Sequence, residues 1–277
     1  MSSALERSLS VMELLAEHPE GLAVSAVAHA LDLPVSGAHR ILNELTRLGY
    51  VRQMRNQGDY ALTIKLASMG LSFLSSAGVN DVAQPILDRL ASESRELIRL
   101  SVVDGENLVW VGVAQGATGG LRYDPGREQG MIVHLASSAG GQAWLSTMTD
   151  EDALTRVAAQ GLRPFHDDPG VDAPATIAEL LDQVHSARAR GYSRAVNSYM
   201  TGMAAMAVPV RYMGTGPVIG CLSIAGPAVR MTDTHIEELA PVLINAARDL
   251  GEASRGSKYF ATTIKALSGT EPDRGAA

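Results

Sequence analysis

The chain of 277 residues has one cysteine, Cys221, and few aromatic residues, at 4% of positions. A lone cysteine can form no internal disulfide and offers no multi-cysteine metal site, which suits a reducing cytoplasm. Seven scattered histidines have no ligand spacing, so no metal is expected. With so few aromatics, the cores must rest on Leu, Val, Ile, Ala and Met, within a hydrophobic share of 46%. No apolar run approaches a membrane span. At the start, MSSALERSLSVMELL carries Glu6 and Arg7 where a signal peptide would have its apolar core. A cytoplasmic protein with no membrane partner is therefore expected. No phosphate loop of the G-x-x-x-x-G-K-[ST] kind occurs, no repeat or low-complexity tract is present, and no cofactor is expected.

Strong basic charge is missing too, since 23 Lys and Arg face 30 Asp and Glu for a net charge of −7. A whole-chain sum can hide a local face. Between residues 36 and 57 the charges are Arg40, Arg47, Arg52 and Arg55 against Glu44 alone, a basic stretch in an acidic protein.

The length favours two domains. Leu5, Leu9, Met12 and Leu15 recur at helical spacing, so residues 4–17 read as a helix ended by His18-Pro19-Glu20-Gly21. Ser25 is placed to cap a short helix over 26–31, and Asp32-Leu33-Pro34 makes the turn. Ser36 is placed to cap a third helix running to Leu48. At about 100° per residue its faces separate. Ala38, Ile41, Leu42, Leu45 and Leu48 fall on one side; Ser36, His39, Arg40, Asn43 and Arg47 fall on the other. Such side chains hydrogen-bond phosphates and base edges. A strand at 50–54, turn residues 55–59 and a strand at 60–62 follow. Three helices and a hairpin with Arg55 and Gln57 at its tip have the order of a winged helix-turn-helix. The expected DNA contacts are Ser25, Ser36, Gly37, His39, Arg40, Asn43, Arg47, Arg55 and Gln57.

Beyond it, residues 62–74 read as a connecting helix and 80–96 as another, with Pro85 in its first turn or so. Strands at 97–103 and 108–113 flank the hairpin signal Asp104-Gly105-Glu106-Asn107, and strands at 206–212 and 218–225 flank a second. Helices are expected at 139–148, 175–190 and 233–252. Hairpins mixed with helices argue for an α+β unit with an antiparallel sheet. The expected division is 1–61 for DNA binding, 62–79 as linker helix, 80–255 as the large domain and 256–277 as a partly mobile tail.

Within MIVHLASSAGGQAW, residues 131–144, Ser137-Ser138 precede Ala139-Gly140-Gly141 at a helix start. Free N–H groups there suit an anion, and glycines permit close approach of a ligand. Ser138 can equally be a simple cap, with the glycines allowing tight packing. The Ser138 segment also loosely imitates a hydrolase nucleophile elbow. His166, His185 and His235 form no pattern that completes it, and Cys221 sits in an apolar strand as a small hydrophobe would. No enzyme is expected; a constitutive DNA-binding oligomer is the other alternative.

Taken together, ERSLSVMELLAEHPEGLAVSAVAHALDLPVSGAHRILNELTRLGYVRQ, DGENLVWVGV, RGYSRAV and VIGCLSIAGP resemble the isocitrate lyase regulator (IclR) family of bacterial transcription factors, over residues 4–254. The resemblance implies a GAF-like effector domain, palindromic operators, and a homodimer or dimer of dimers. It also places the effector pocket at the Ser138 segment, with Leu121, Cys221 and Ser223 added to Ser138, Ala139, Gly140 and Gly141. The sequence departs from the family where Ala136 and Gln142 replace a His and a Lys, where His134 stands at a usual Pro, and where Ala195, Val196 and Asn197 replace an acidic pair. These departures argue against a polar, cationic or metal-bridged effector. Met131, Met200 and Asn197 suit a small organic or aromatic carboxylic acid, with Arg122 or Arg194 as partner for its carboxylate. Repression is the expected outcome.

Overall fold

The computed structural model describes residues 3–54, 58–123, 128–163 and 170–267, with residues 265–267 described through their backbone only. The chain divides into two compact units, Met1–Ser76 and Ala77–Ala277.

The first unit is built from α1 (Ala4–Glu17), α2 (Val24–Ala30), α3 (Val35–Arg47), and the strands β1 (Val51–Gln53) and β2 (Tyr60–Leu62). A capping box starts α1: Ser3 Oγ accepts from Glu6 N while Glu6 Oε2 accepts from Ser3 N, both at 3.0 Å. Val11 and Leu15 of α1 meet Val27, Ala38, Leu42, Leu45, Val51 and Tyr60 in one core. The apolar stripe of α1 differs from its sequence pattern, because Leu5 and Leu9 are exposed and Val11 takes the buried side. Leu48, at the end of the α3 stripe, is exposed as well. β1 and β2 pair antiparallel, and Leu22 adds a bridge to Tyr60. Gly21 makes that approach possible, at φ +93° with a Cβ position only 3.1 Å from the Tyr60 carbonyl.

Two expected caps are corrected. α2 starts at Val24 after Ala23, and α3 at Val35 after Pro34, so Ser25 and Ser36 lie inside the first turns. The Pro34 carbonyl accepts from Gly37 N and Ala38 N instead. Both serines are exposed. The connecting helix α4 (Lys65–Ala77) begins three residues later than the pattern suggested.

The second unit opens with α5 (Val79–Ser94), in which Pro85 is the seventh residue rather than part of the first turn. A five-stranded antiparallel sheet follows, built from β3 (Leu97–Asp104), β4 (Asn107–Gln115), β5 (Ser193–Val196), β6 (Met203–Arg211) and β7 (Val218–Pro227) in the order β4-β3-β7-β6-β5. The tight Gly105-Glu106 turn joins β3 to β4 with Asp104 opposite Asn107. Strand residues alternate between faces. Ile98, Leu100, Val102, Met206, Val208, Leu222 and Ile224 pack with α5, with α9 (Asp233–Ala253), and with Phe260 of α10 (Lys258–Leu267). Leu108, Trp110, Ala207 and Cys221 face α6 (Ala139–Leu145), α7 (Asp150–Gln160) and α8 (Ile177–Arg190). Residues 258–267, within the stretch expected as a partly mobile tail, are helical, with Phe260 in the core, and the last ten residues, 268–277, lie outside the described residues. No sequence signal had been assigned to α7. Among the described residues no helix is long and apolar enough to cross a membrane.

Candidate nucleic-acid interface and effector cavity

The helical period that buries Ala38, Leu42 and Leu45 turns Ser36, His39, Arg40, Asn43 and Arg47 outward. They border one groove with Gly37 and with Arg7 of α1. Asn43 Nδ2 and His39 Nδ1 lie 3.3 Å apart, which orients both along the face. Arg47 donates from Nε to Glu44 at 3.1 Å, and this hydrogen bond holds the Glu44 carboxyl below its ordinary range. Arg47 is thus partly neutralised, whereas Arg40 has no ion pair among the described residues. Arg55 and Gln57 lie outside the described residues.

In the second unit, the sheet face toward α6 carries small side chains where a core would carry large ones. Ala195, Ala205, Ser223 and Ala225 leave a cavity of about 430 Å³, counting its open mouth. Trp110, Tyr199 and Met203 wall it, and Ser138, Ala139 and Gly140 close it at the start of α6. The Ser138 hydroxyl accepts from Gly141 N at 3.0 Å and its carbonyl accepts from Gln142 N, so two of the N–H groups at this helix start are already used. Gly141 serves packing: a Cβ there would lie 2.4 Å from Leu135 Cα and O. At Gly140 the nearest atom would be Ser101 Oγ at 3.8 Å.

The charged group of the wall is Arg99, on β3 and only 5% exposed. Its guanidinium lies 4.7 Å from the Trp110 ring centre and 5.0 Å from that of Tyr123, between two rings that favour a cation. Nη1 donates to Glu128 Oε2, and Tyr123 OH donates to Glu128 Oε1. Nε is buried with no hydrogen-bond partner among the described residues. Burial and the bond to Glu128 push the Tyr123 hydroxyl well above its ordinary pKa, so it remains a donor. Burial raises Tyr199 likewise. Tyr199 meets Trp110 edge-on, with ring centres 5.7 Å apart.

Of the residues expected to meet an effector, Ser138, Ala139, Gly140 and Ser223 line this cavity. The others stand elsewhere. Arg194 pairs with Asp233, Arg122 and Leu121 are exposed, and the Leu121 carbonyl accepts from Arg230. Met131 is exposed, and Met200 is outside the lining. Asn197 takes φ +48° and its Oδ1 accepts from Gly202 N, holding a turn. Cys221 is buried in the core, where burial raises its thiol pKa. Sequence reasoning missed Arg99, Trp110 and Tyr199. The signal for Arg99 was present, as a lone charge in the apolar strand Leu97–Val103.

An exposed Arg/Asn/His helix beside a hairpin, followed by an antiparallel α+β unit, defines a winged helix-turn-helix DNA-binding regulator. Family comparison agrees. The IclR helix-turn-helix domain matches residues 4–55, and the bacterial transcriptional regulator IclR C-terminal domain matches 71–252. The chain is 29% identical to the acetate operon repressor of Salmonella typhimurium over 258 residues, 92% of this chain and 91% of that protein. It is 26% identical to the HTH-type transcriptional repressor AllR of Escherichia coli K12 over 252 residues, 91% and 90% of the two chains. In structure it is similar to an IclR homologue from Microbacterium hydrocarbonoxydans complexed with 4-hydroxybenzoate, with TM-score 0.73 and 21% identity over 92% of this chain and all of that one. The chain belongs to the IclR family of bacterial transcriptional regulators, a family of DNA-binding proteins, so the hydrolase alternative falls.

Proposed function

We propose that the protein is a cytoplasmic repressor that binds palindromic operator DNA through α3, acts as a homodimer or dimer of dimers, and is controlled by a small organic acid held in the cavity beside α6. The observation that carries the sensing part is Arg99: a guanidinium in the wall of a small, otherwise uncharged cavity, with a buried Nε–H that has no hydrogen-bond partner among the described residues. A constitutive DNA-binding oligomer has no need of such a group. Support also comes from the two relatives named as repressors and from the 4-hydroxybenzoate bound by the Microbacterium homologue. Assembly is supported by α4, whose Leu66, Met69 and Phe73 form an exposed stripe.

In this reading His39, Arg40, Asn43 and Arg47 enter the major groove, Ser25, Ser36 and Gly37 approach the backbone, and the wing residues Arg55 and Gln57 reach the phosphates or minor groove. Two recognition helices then need half-sites about 34 Å apart or a multiple of that. The test uses an operator fragment selected from genomic DNA by the full chain and titrated by fluorescence anisotropy. Arg40→Ala and Asn43→Ala are each expected to weaken binding about 5- to 150-fold, the cost of about 1–3 kcal/mol for a lost base contact, with melting unchanged. Acids from acetate to benzoate are expected to shift wild-type operator affinity by about 5- to 150-fold. Unchanged binding in both variants would remove α3 as the reading helix. An operator affinity indifferent to every acid would leave the constitutive alternative standing.

A further inference from the structure

We infer that Glu128 is a tethered competitor for the effector's carboxylate and so sets which charge class the cavity accepts. The inference rests on the reading of Arg99 as the anchor for an acid. Glu128 occupies one side of that guanidinium through Oε2, and its second oxygen is held by the Tyr123 hydroxyl. Its side chain is 14% exposed against 6% for that of Arg99, so the pair is nearly closed from water. Arg99 is the charged member of the lining, which makes the ion pair neutral as it stands.

A second carboxylate brought to the Arg99 guanidinium would put two anions on one cation in a poorly solvated place, where like charges repel strongly. Two arrangements avoid this. A neutral ligand with a carbonyl can accept from the Arg99 guanidinium while Glu128 stays in place. An acid must instead displace the Glu128 carboxylate, which returns to water at the neighbouring surface where Met131 and Ile132 are exposed. A ligand carboxylate therefore competes with a group that never diffuses away, and its apparent affinity falls by the effective concentration of that group. Neutral ligands escape this competition. The Tyr123 hydroxyl, which remains protonated, strengthens the competitor by holding its far oxygen.

The experiment is calorimetric titration of the full chain with benzoate and benzamide, and with acetate and acetamide where a ring is too large. Glu128→Gln keeps the side-chain shape and removes the charge. It is expected to tighten the acid at least about tenfold relative to the matching amide, equivalent to 1.4 kcal/mol. Tyr123→Phe, which removes one donor to Glu128, should move the same ratio in the same direction by a smaller factor. It decides the matter if Glu128→Gln melts early. The double variant Arg99→Met with Glu128→Gln should lose the acid affinity gained by the single one. An acid-to-amide ratio unchanged in Glu128→Gln and Tyr123→Phe, with acid binding lost in the double variant, would overturn the role of Glu128 and leave Arg99 as anchor. Equal acid binding in the single and double variants, or binding of neither ligand by any variant, would remove the Arg99 reading and this inference with it.

Discussion

Gly140 and Gly141 are adjacent in the sequence and differ in what surrounds them. A methyl group at 141 would press on the Leu135 backbone at 2.4 Å, and backbone cannot move aside as a flexible side chain can. Gly141→Ala is expected to destabilise the second unit by about 1–3 kcal/mol or more through overpacking, read as a lower urea midpoint. Gly140→Ala meets nothing closer than 3.8 Å and adds a helix former, for a gain of about 0.5–1 kcal/mol, so its midpoint should hold or rise. Its methyl group narrows the cavity, and acid binding should fall. A Gly140→Ala midpoint below that of Gly141→Ala would contradict this division. The GG pair was legible as a place of close approach, but not which glycine meets protein and which borders space. That depends on the 135–141 loop closing on itself. Arg99 was overlooked although it is a lone charge in an apolar strand. Its partner Glu128 is 29 residues away, and only Arg122 and Arg194 were put forward to meet a carboxylate. The fold ties Arg194 to Asp233 and leaves Arg122 in water.

Elements with local signals were legible. The α3 stripe, the Gly105-Glu106 turn and the paired strands at 206–225 rest on periodicity and turn chemistry, which act over a few residues. α7 carried its own signal, a Thr149 cap followed by Asp150, Glu151 and Asp152, but only Ala153 and Val157 are buried, too sparse a pattern to mark a core stripe. α10 was missed on other grounds. A ten-residue helix is marginal in isolation, and its stability comes from burial of Phe260 against the core shared with α5 and α9. Ser257 helps to fix it, donating from Oγ to the Ala77 carbonyl at 2.8 Å. Phe260→Ala should therefore cost about 3–5 kcal/mol, as large-to-small changes at buried aromatics do. Urea unfolding of the full chain checks it; a change below 1 kcal/mol, an ordinary surface effect, would mean that the helix is dispensable.

At the scale of the molecule, the operator sets the requirement. A single recognition helix with one unpaired arginine on its face gives few specific contacts, and in a protein of net charge −7 the long-range field adds little. On the proposed reading, specific affinity then depends on presenting two such helices together. α4 carries exposed apolar side chains: Lys65 is its sole charge, Ala77 its sole buried residue, and Leu66, Met69 and Phe73 follow one another along one face. Helices this apolar are normally covered. If α4 holds the assembly, Leu66→Asp combined with Phe73→Asp should dissociate it in sedimentation while far-UV circular dichroism is retained, since neither side chain belongs to the core of Val11, Leu42 and Leu45. Operator affinity should fall with it. Two half-sites bound at once gain about 10²- to 10⁴-fold over one, and a chain unable to pair forfeits that gain. The Arg40 substitution should weaken each half-site, whereas this one should leave half-site binding intact and remove only the cooperation between them. A variant that stays assembled and binds operator as before would move the contact away from α4 and onto the second unit.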